Sequence, residues 1–159
     1  MRLRVIIVFT IILAGIAAVI LGLTQIRIDA LHDPGPVETF LATNLKRTLV
    51  ARSSSQGIQP APTDLPASIK EGETVYGTDC SMCHGMDGRT PTDTGRWMYP
   101  RASDLTSPPV QKYSDQELFW IIKNGIRLTG MPAFGKVESD EHIWDLVNYV
   151  RTLPQKSNQ

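Results

Sequence analysis

The sequence has little of what marks several common classes of protein. Its sixteen Lys and Arg residues balance sixteen Asp and Glu residues among 159 in total, so net charge gives no reason to expect nucleic-acid binding. It has only two cysteines, too few to supply the four ligands of a zinc ribbon by themselves. No segment alternates apolar and polar residues as a strand does, and no segment repeats. We therefore predict an all-α protein with one modest domain and appended segments.

The two cysteines stand three positions apart, in the segment Cys80-Ser81-Met82-Cys83-His84. Residues i and i+3 lie on the same side of a helical turn. Cys80 and Cys83 can therefore each add to one vinyl group of a single porphyrin, and His84 can reach the iron from the same face. This pattern is typical of covalent attachment of a c-type haem, and one motif predicts one haem c per chain.

Three other interpretations of the cysteine pair explain the segment less well. Half of a zinc site needs a second pair of ligands. The candidates are far from the cysteines in the sequence, since His32 lies near the N-terminus and His142 lies far downstream. A thioredoxin-like redox pair belongs near a strand–helix–strand pattern, which the sequence lacks. A disulfide across so short a loop would add little stability. None of the three gives His84 a role.

A long apolar run near the N-terminus predicts a membrane-spanning helix. The run from Val5 to Leu23 has nineteen uncharged residues, which as a helix extend about 28 Å, close to the hydrocarbon thickness of a bilayer. A cleaved signal peptide is the alternative, but its apolar core is usually shorter, and no small-x-small cleavage site follows the run. Arg2 and Arg4 favour a cytoplasmic N-terminus. We predict an uncleaved anchor over residues 1–28, in the cytoplasmic membrane.

Residues 29–66 are predicted to connect the anchor to the domain. After a break at Pro34-Gly35-Pro36, and beside Phe40, apolar residues recur at every fourth position: Val37, Leu41, Leu45 and Leu49. This spacing predicts an amphipathic helix over about 37–51 that packs on the domain, lies on the membrane surface or docks a partner. Residues 53–66 are rich in Ser, Pro and Gly, which predicts a linker that lets the domain move relative to the membrane.

Residues 67–155 carry the helical pattern of the domain. Ser68-Ile69-Lys70-Glu71 and Ser114-Asp115-Gln116-Glu117 match capping boxes and predict two helix starts. Residues 85–109 are rich in Gly, Pro, Asp and Thr and are predicted to form a loop. Ser139 is predicted to cap a last helix, which Pro154 ends.

With this order of helices, the Cys80–His84 motif and a Gly130-Met131-Pro132 loop, residues 68–153 resemble a class I c-type cytochrome. The segment from Pro100-Arg101 through Asp104-Leu105-Thr106 is more similar to small bacterial cytochromes and cytochrome subunits than to the mitochondrial carrier. The resemblance implies a cytochrome c-like helical haem domain. It also implies a contact between the first and last helices of the domain, through Gly72, Tyr76, Leu146 and Tyr149.

The resemblance implies His84 and a methionine as the two iron ligands. Met82 and Met86 stand too close to His84 to cross easily to the other face of the haem, which leaves Met98 and Met131. The family places its distal methionine in a loop such as Gly130-Met131-Pro132, which implies Met131.

Five further residues are candidates for contact with the haem. Arg101, Trp97 and Tyr99 are candidates to bind the haem propionates, which need such partners when they are buried. Pro109 and Pro132 are expected to line the two faces of the haem.

Ligation by His and Met implies an electron carrier rather than an enzyme, because filled axial positions leave no site for oxygen or peroxide. We expect a membrane-anchored monohaem cytochrome that carries single electrons between donor and acceptor proteins, such as respiratory or dehydrogenase complexes. Its haem domain is expected on the periplasmic side. A fixed cytochrome subunit of a larger oxidoreductase complex and a small haem peroxidase are the alternatives.

Overall fold

The computed structural model describes residues 2–24, 29–55, 58 and 64–156, and these residues contain helices and no strands. The all-α prediction is therefore confirmed. In chain order the helices are α1 Arg2–Thr24, α2 Pro36–Ser54, α3 Leu65–Asp79, α4 Ser81–His84, α5 Asp93–Trp97, α6 Pro108–Gln111, α7 Asp115–Asn124, a 3₁₀ turn Phe134–Lys136, and α8 Asp140–Lys156.

Helix α1 is long and apolar enough to cross a membrane. None of its described side chains is buried against the rest of the chain. A signal sequence has the same length and composition, so α1 fits both of the predicted alternatives. The end of the predicted anchor, residues 25–28, lies outside the described residues.

Helices α3 and α8 cross and form the centre of the domain core. A Cβ built at Gly72 would overlap the carbonyl oxygen of Asp145 and lie 2.9 Å from Cβ of Tyr149, so the two backbones meet at this glycine. The rings of Tyr76 and Tyr149 pack with centroids 5.1 Å apart. The predicted crossing of these two helices is confirmed.

The predicted start of α3 is wrong by one turn. The helix begins at Leu65, and the Asp64 side chain caps it by accepting a hydrogen bond from the amide of Ala67. Ser68 lies inside the helix, is buried, and donates to Oδ1 of Asp145 at 2.5 Å. The hydroxyl of Ser68 therefore donates to a carboxylate on α8 instead of capping the start of α3.

Local sequence signals predicted the starts of α7 and α8 correctly, but not the end of α8. The capping box of Ser114 and Glu117 is present at the start of α7, and Ser139 accepts from the amide of His142 at the start of α8. The predicted end of α8 is wrong, because the helix continues through Pro154 to Lys156.

Helix α2 packs against α7, and it does so with the face opposite its predicted apolar stripe. Val50 and Ser54 are buried in this contact. Arg47 donates to the carbonyl of Pro109 at 3.4 Å and lies over the ring of Tyr113. The helix is longer than predicted and takes in residues 53–54. Residues 56–57 and 59–63 of the predicted linker lie outside the described residues.

Candidate haem-binding site

The Cys80–His84 motif forms one tight helical turn at the end of α3. The amides of Cys83 and His84 both donate to the carbonyl of Cys80, at 3.0 and 2.9 Å. Both thiols are free and half-buried. A turn of this kind places two unbonded thiols on one side, which is the arrangement that two thioether bonds to one porphyrin require.

Burial makes the Cys80 thiol a weak acid in the folded chain. Burial, helped by the nearby charge of Asp79, raises the pKa of Cys80 to about 12. At neutral pH the folded chain therefore keeps this thiol protonated, whereas the thiolate is the nucleophilic form.

His84 is held with one ring nitrogen engaged and the other left for a ligand. Its Nδ1 lies 2.9 Å from the carbonyl oxygen of Ser103. A carbonyl can only accept, so Nδ1 carries the proton and Nε2 keeps its lone pair. Burial lowers the pKa of His84, which favours the neutral ring. Neutral imidazole with a fixed tautomer is the form that binds a metal.

The partner of His84 could not be found from the sequence. Ser103 contributes a backbone carbonyl, and every residue has one. Only the path of the loop over residues 98–107 determines which carbonyl faces the ring. The candidates for haem contact that the sequence indicates in this loop are Tyr99 and Arg101, and Ser103 is not among them.

The loop after the motif is bonded back onto the attachment turn. A Cβ at Gly95 would overlap the carbonyl oxygen of Cys83, which also accepts from the amide of Thr92 at 3.2 Å. Gly85 has a φ of 75°, and its carbonyl accepts from the buried hydroxyl of Tyr76 at 2.7 Å. These contacts fix the orientation of the two thiols and the imidazole relative to the core.

The structure leaves the same two methionines, Met98 and Met131, as candidates for the second iron ligand. Met82 and Met86 are exposed, by 63% and 68%, whereas Met98 and Met131 are half-buried. Met131 packs against the core cluster, and its carbonyl accepts from the amide of Ile126 at 3.4 Å. The sulfur of Met98 lies 2.5 Å from a Cβ built at Gly130. Both thioethers therefore lie at the Gly130–Pro132 loop.

The structure connects several of the other predicted site residues to α2 and the segment before it. Arg101 pairs through Nε with Asp33 at 2.8 Å, and the hydroxyl of Tyr99 donates to Glu38 at 2.6 Å. Pro109 is exposed and accepts from Arg47 of α2. Trp97 is 77% exposed, and Pro132 is exposed beside Met131. The described contacts do not bring these five residues together with the thiols and His84.

The chemistry of the donor set fits a c-type haem. It comprises two free thiols one turn apart, an imidazole with Nε2 available and a thioether on a separate loop. Within residues 2–24, 29–55, 58 and 64–156, no three or more His, Cys, Asp or Glu side chains form a group that could hold a metal ion. The zinc interpretation therefore gains no support from the described part of the chain.

A family model described as "Cytochrome C oxidase, cbb3-type, subunit III" matches residues 67–150. Among solved structures, the chain is similar to the Kuenenia stuttgartiensis reducing HAO-like protein complex Kustc0457/Kustc0458. The two are 23% identical, with a TM-score of 0.52 over 62% of this chain and 47% of that one, so this chain spans about half of its length. That likeness concerns the fold alone.

A second solved structure, described as "KustC0563 c-type cytochrome", is 31% identical, with a TM-score of 0.46 over 52% of this chain and 95% of that one. No curated protein matches the sequence.

Proposed function

The chain belongs to the family of cbb3-type cytochrome c oxidase subunit III, and from that premise we propose that it is a membrane-anchored monohaem electron carrier. As a class I c-type cytochrome it binds haem c covalently and transfers electrons. The proposal adds one haem per chain, single-electron transfer between donor and acceptor proteins, and a haem domain on the periplasmic side of the cytoplasmic membrane.

The observation that carries this proposal is the hydrogen bond from His84 Nδ1 to the Ser103 carbonyl. His84 ends the turn that also holds the two free thiols. In the proposed site Cys80 and Cys83 would hold the haem through thioethers, and His84 Nε2 and the Met131 thioether would hold the iron. The haem would supply a ferrous–ferric couple. With both residues bound to the iron, no site would remain for oxygen or peroxide.

We assign haem-edge roles to the remaining predicted residues. Arg101, Tyr99 and Trp97 lie in one short segment and carry the donors that propionates require. Pro109 lies in α6, which precedes α7, and Pro132 follows Met131, so we assign one to each face. Arg101 has N–H donors beside the Nε that pairs with Asp33, so it would bridge the haem edge and the segment before α2. Tyr99 has one O–H, so it would have to turn from Glu38 to bind a propionate.

We expect one covalently bound haem per chain. The chain has one Cys-x-x-Cys-His motif and no other cysteine, so a second thioether-linked haem has no site. Acid–acetone extraction followed by mass measurement of the polypeptide tests this. A polypeptide without added haem mass, or with the mass of two haems, would overturn the proposal.

We expect the mature protein to retain α1. Arg2 and Arg4 flank an apolar run of spanning length, and the sequence that follows has no small-x-small cleavage site. Mass measurement of the N-terminal peptide of membrane-extracted protein should find the region of Arg2 intact. A mature start between about residues 23 and 36 would instead make the protein a soluble shuttle.

Membership of an oxidase-subunit family favours a second candidate, a fixed cytochrome subunit of a larger oxidoreductase. Purification of the full chain in mild detergent distinguishes the two. A free carrier is recovered alone, whereas a fixed subunit brings stoichiometric partner proteins with it. A small haem peroxidase needs an open iron position, and binding of carbon monoxide by the reduced protein would reveal one.

A further inference from the structure

Helix α2 presents a row of large apolar side chains to the outside of the protein. We call Val37, Leu41, Leu45 and Leu49 the outward stripe; together with Phe40 beside it, these side chains are 52–70% exposed. They recur every four residues and so follow one face of the helix. The opposite face carries Val50 and Ser54, both buried.

The helix cannot easily turn to cover this stripe. The helix is held by packing of its inner face on α7, by the bond from Arg47 to the carbonyl of Pro109, and at its N-terminal end by the bond from Tyr99 to Glu38. Rotation that buried the stripe would expose Val50 and break these contacts. An apolar row of this length on a soluble surface marks an interaction site, so its cover must come from outside the chain.

The connection to α1 and the charge of α2 indicate what contacts the outward stripe. Helix α1 ends at Thr24 and α2 begins at Pro36. The eleven residues between them span at most about 36–40 Å when fully extended. A helix tethered this closely to a membrane-spanning segment meets the bilayer surface at high effective concentration.

Of the three cations of α2, Lys46 and Arg47 lie on the inner face, whereas Arg52 is exposed, follows Leu49 by three residues and so lies on the side of the stripe. Interfacial helices combine an apolar face with cations that meet anionic headgroups. We therefore propose that the outward stripe of α2 rests on the lipid surface of the membrane, as a second membrane contact beside α1. This inference rests on the anchoring by α1 that is part of the proposed function.

The contact would fix the orientation of the haem domain. Helix α2 is bonded to the domain at its inner face, and Asp33 and Glu38 hold the loop that carries Arg101 and Tyr99. With the stripe in lipid, that loop keeps a constant height and direction relative to the membrane.

Spin labels on the full-length haem-loaded protein in phosphatidylcholine–phosphatidylglycerol nanodiscs test the proposal. Single labels are attached at Leu45→Cys in the stripe, at Val137→Cys as a matched exposed apolar position elsewhere, and at Ile11→Cys within α1. In the holoprotein both native thiols are bonded to haem. Collision of each label with oxygen, which concentrates in lipid, and with a water-soluble nickel chelate is measured by electron paramagnetic resonance. An unchanged haem spectrum checks the fold of each variant.

We expect the label at position 45 to collide with the nickel chelate at least several-fold less often than the label at 137, and more often with oxygen. Equal nickel collision at 45 and 137, with the label at 11 in lipid, would overturn the α2 contact alone. A label at 45 shielded from both probes would assign the stripe to a protein partner or a second copy and likewise overturn the lipid contact. A label at 11 in water would overturn the anchor in the proposed function, and the α2 contact with it.

Discussion

Replacement of Met131 with alanine is expected to lower the reduction potential by on the order of 100 mV or more, because the axial ligand is a main determinant of haem potential over a range of about 0.8 V. A thioether ligand favours ferrous iron relative to a second imidazole or water. Its loss would also remove the weak charge-transfer band at the red end of the ferric spectrum and let the reduced protein bind carbon monoxide. Redox titration and optical spectra of the purified holoprotein measure all three changes.

Met98→Ala is the matched control for this experiment. Met98 is half-buried like Met131, and its sulfur lies against Gly130 of the same loop. We expect it to leave the charge-transfer band intact and to change the potential far less. If Met98→Ala abolishes the band while Met131→Ala retains it, the distal ligand is Met98. The assignment of the protein as a cytochrome would survive that result.

Replacement of Gly72 with alanine is expected to destabilise the domain by about 3 kcal/mol or more, at the upper end of the usual cost of overpacking. The added Cβ would lie 2.5 Å from the carbonyl carbon of Asp145 and would overlap its oxygen. Both are backbone atoms of a buried helix, so no flexible side chain can move aside. The crossing of α3 and α8 would have to open. Chemical denaturation of the holoprotein in detergent, followed by far-ultraviolet circular dichroism, measures the change.

Gly77→Ala, on the same helix, is the control for Gly72→Ala. A Cβ at Gly77 meets nothing within 4 Å. Alanine there is expected to raise stability by roughly 0.5–1 kcal/mol, because it restricts the unfolded chain and favours the helix. Equal effects of the two substitutions would mean that the helices do not touch at Gly72.

Several parts of the fold that depend on neighbouring residues were predictable from the sequence. The three-residue spacing of Cys80 and Cys83 requires a helical turn, and the turn is present. The capping box at Ser114 acts within four residues and was predicted correctly. Periodic apolar residues placed α7 and α8, because a helix must bury one face wherever it packs.

Three features that the sequence did not predict depend on contacts between residues that lie far apart in the chain. Ser68 bonds to Asp145, 77 residues away, instead of capping its own helix. The inner face of α2 was not predicted, because that face holds Lys46 and Arg47 as well as Val50, while the apolar periodicity marks the opposite face. The ring of His84 is fixed by the carbonyl of Ser103. Because every residue has a backbone carbonyl, the sequence does not indicate which one accepts this hydrogen bond.

The α3–α8 crossing also sets an order of events during synthesis. It joins the first and last helices of the haem domain, so α3 lacks its main packing partner until residues 140–153 have emerged. Until then Leu153 cannot pack on Gly88, and the core cluster that partly buries Cys80 is incomplete. Burial against that cluster, which raises the pKa of the Cys80 thiol, is therefore complete only after α8 has docked. The time at which α8 docks thus determines how long this thiol stays exposed during synthesis.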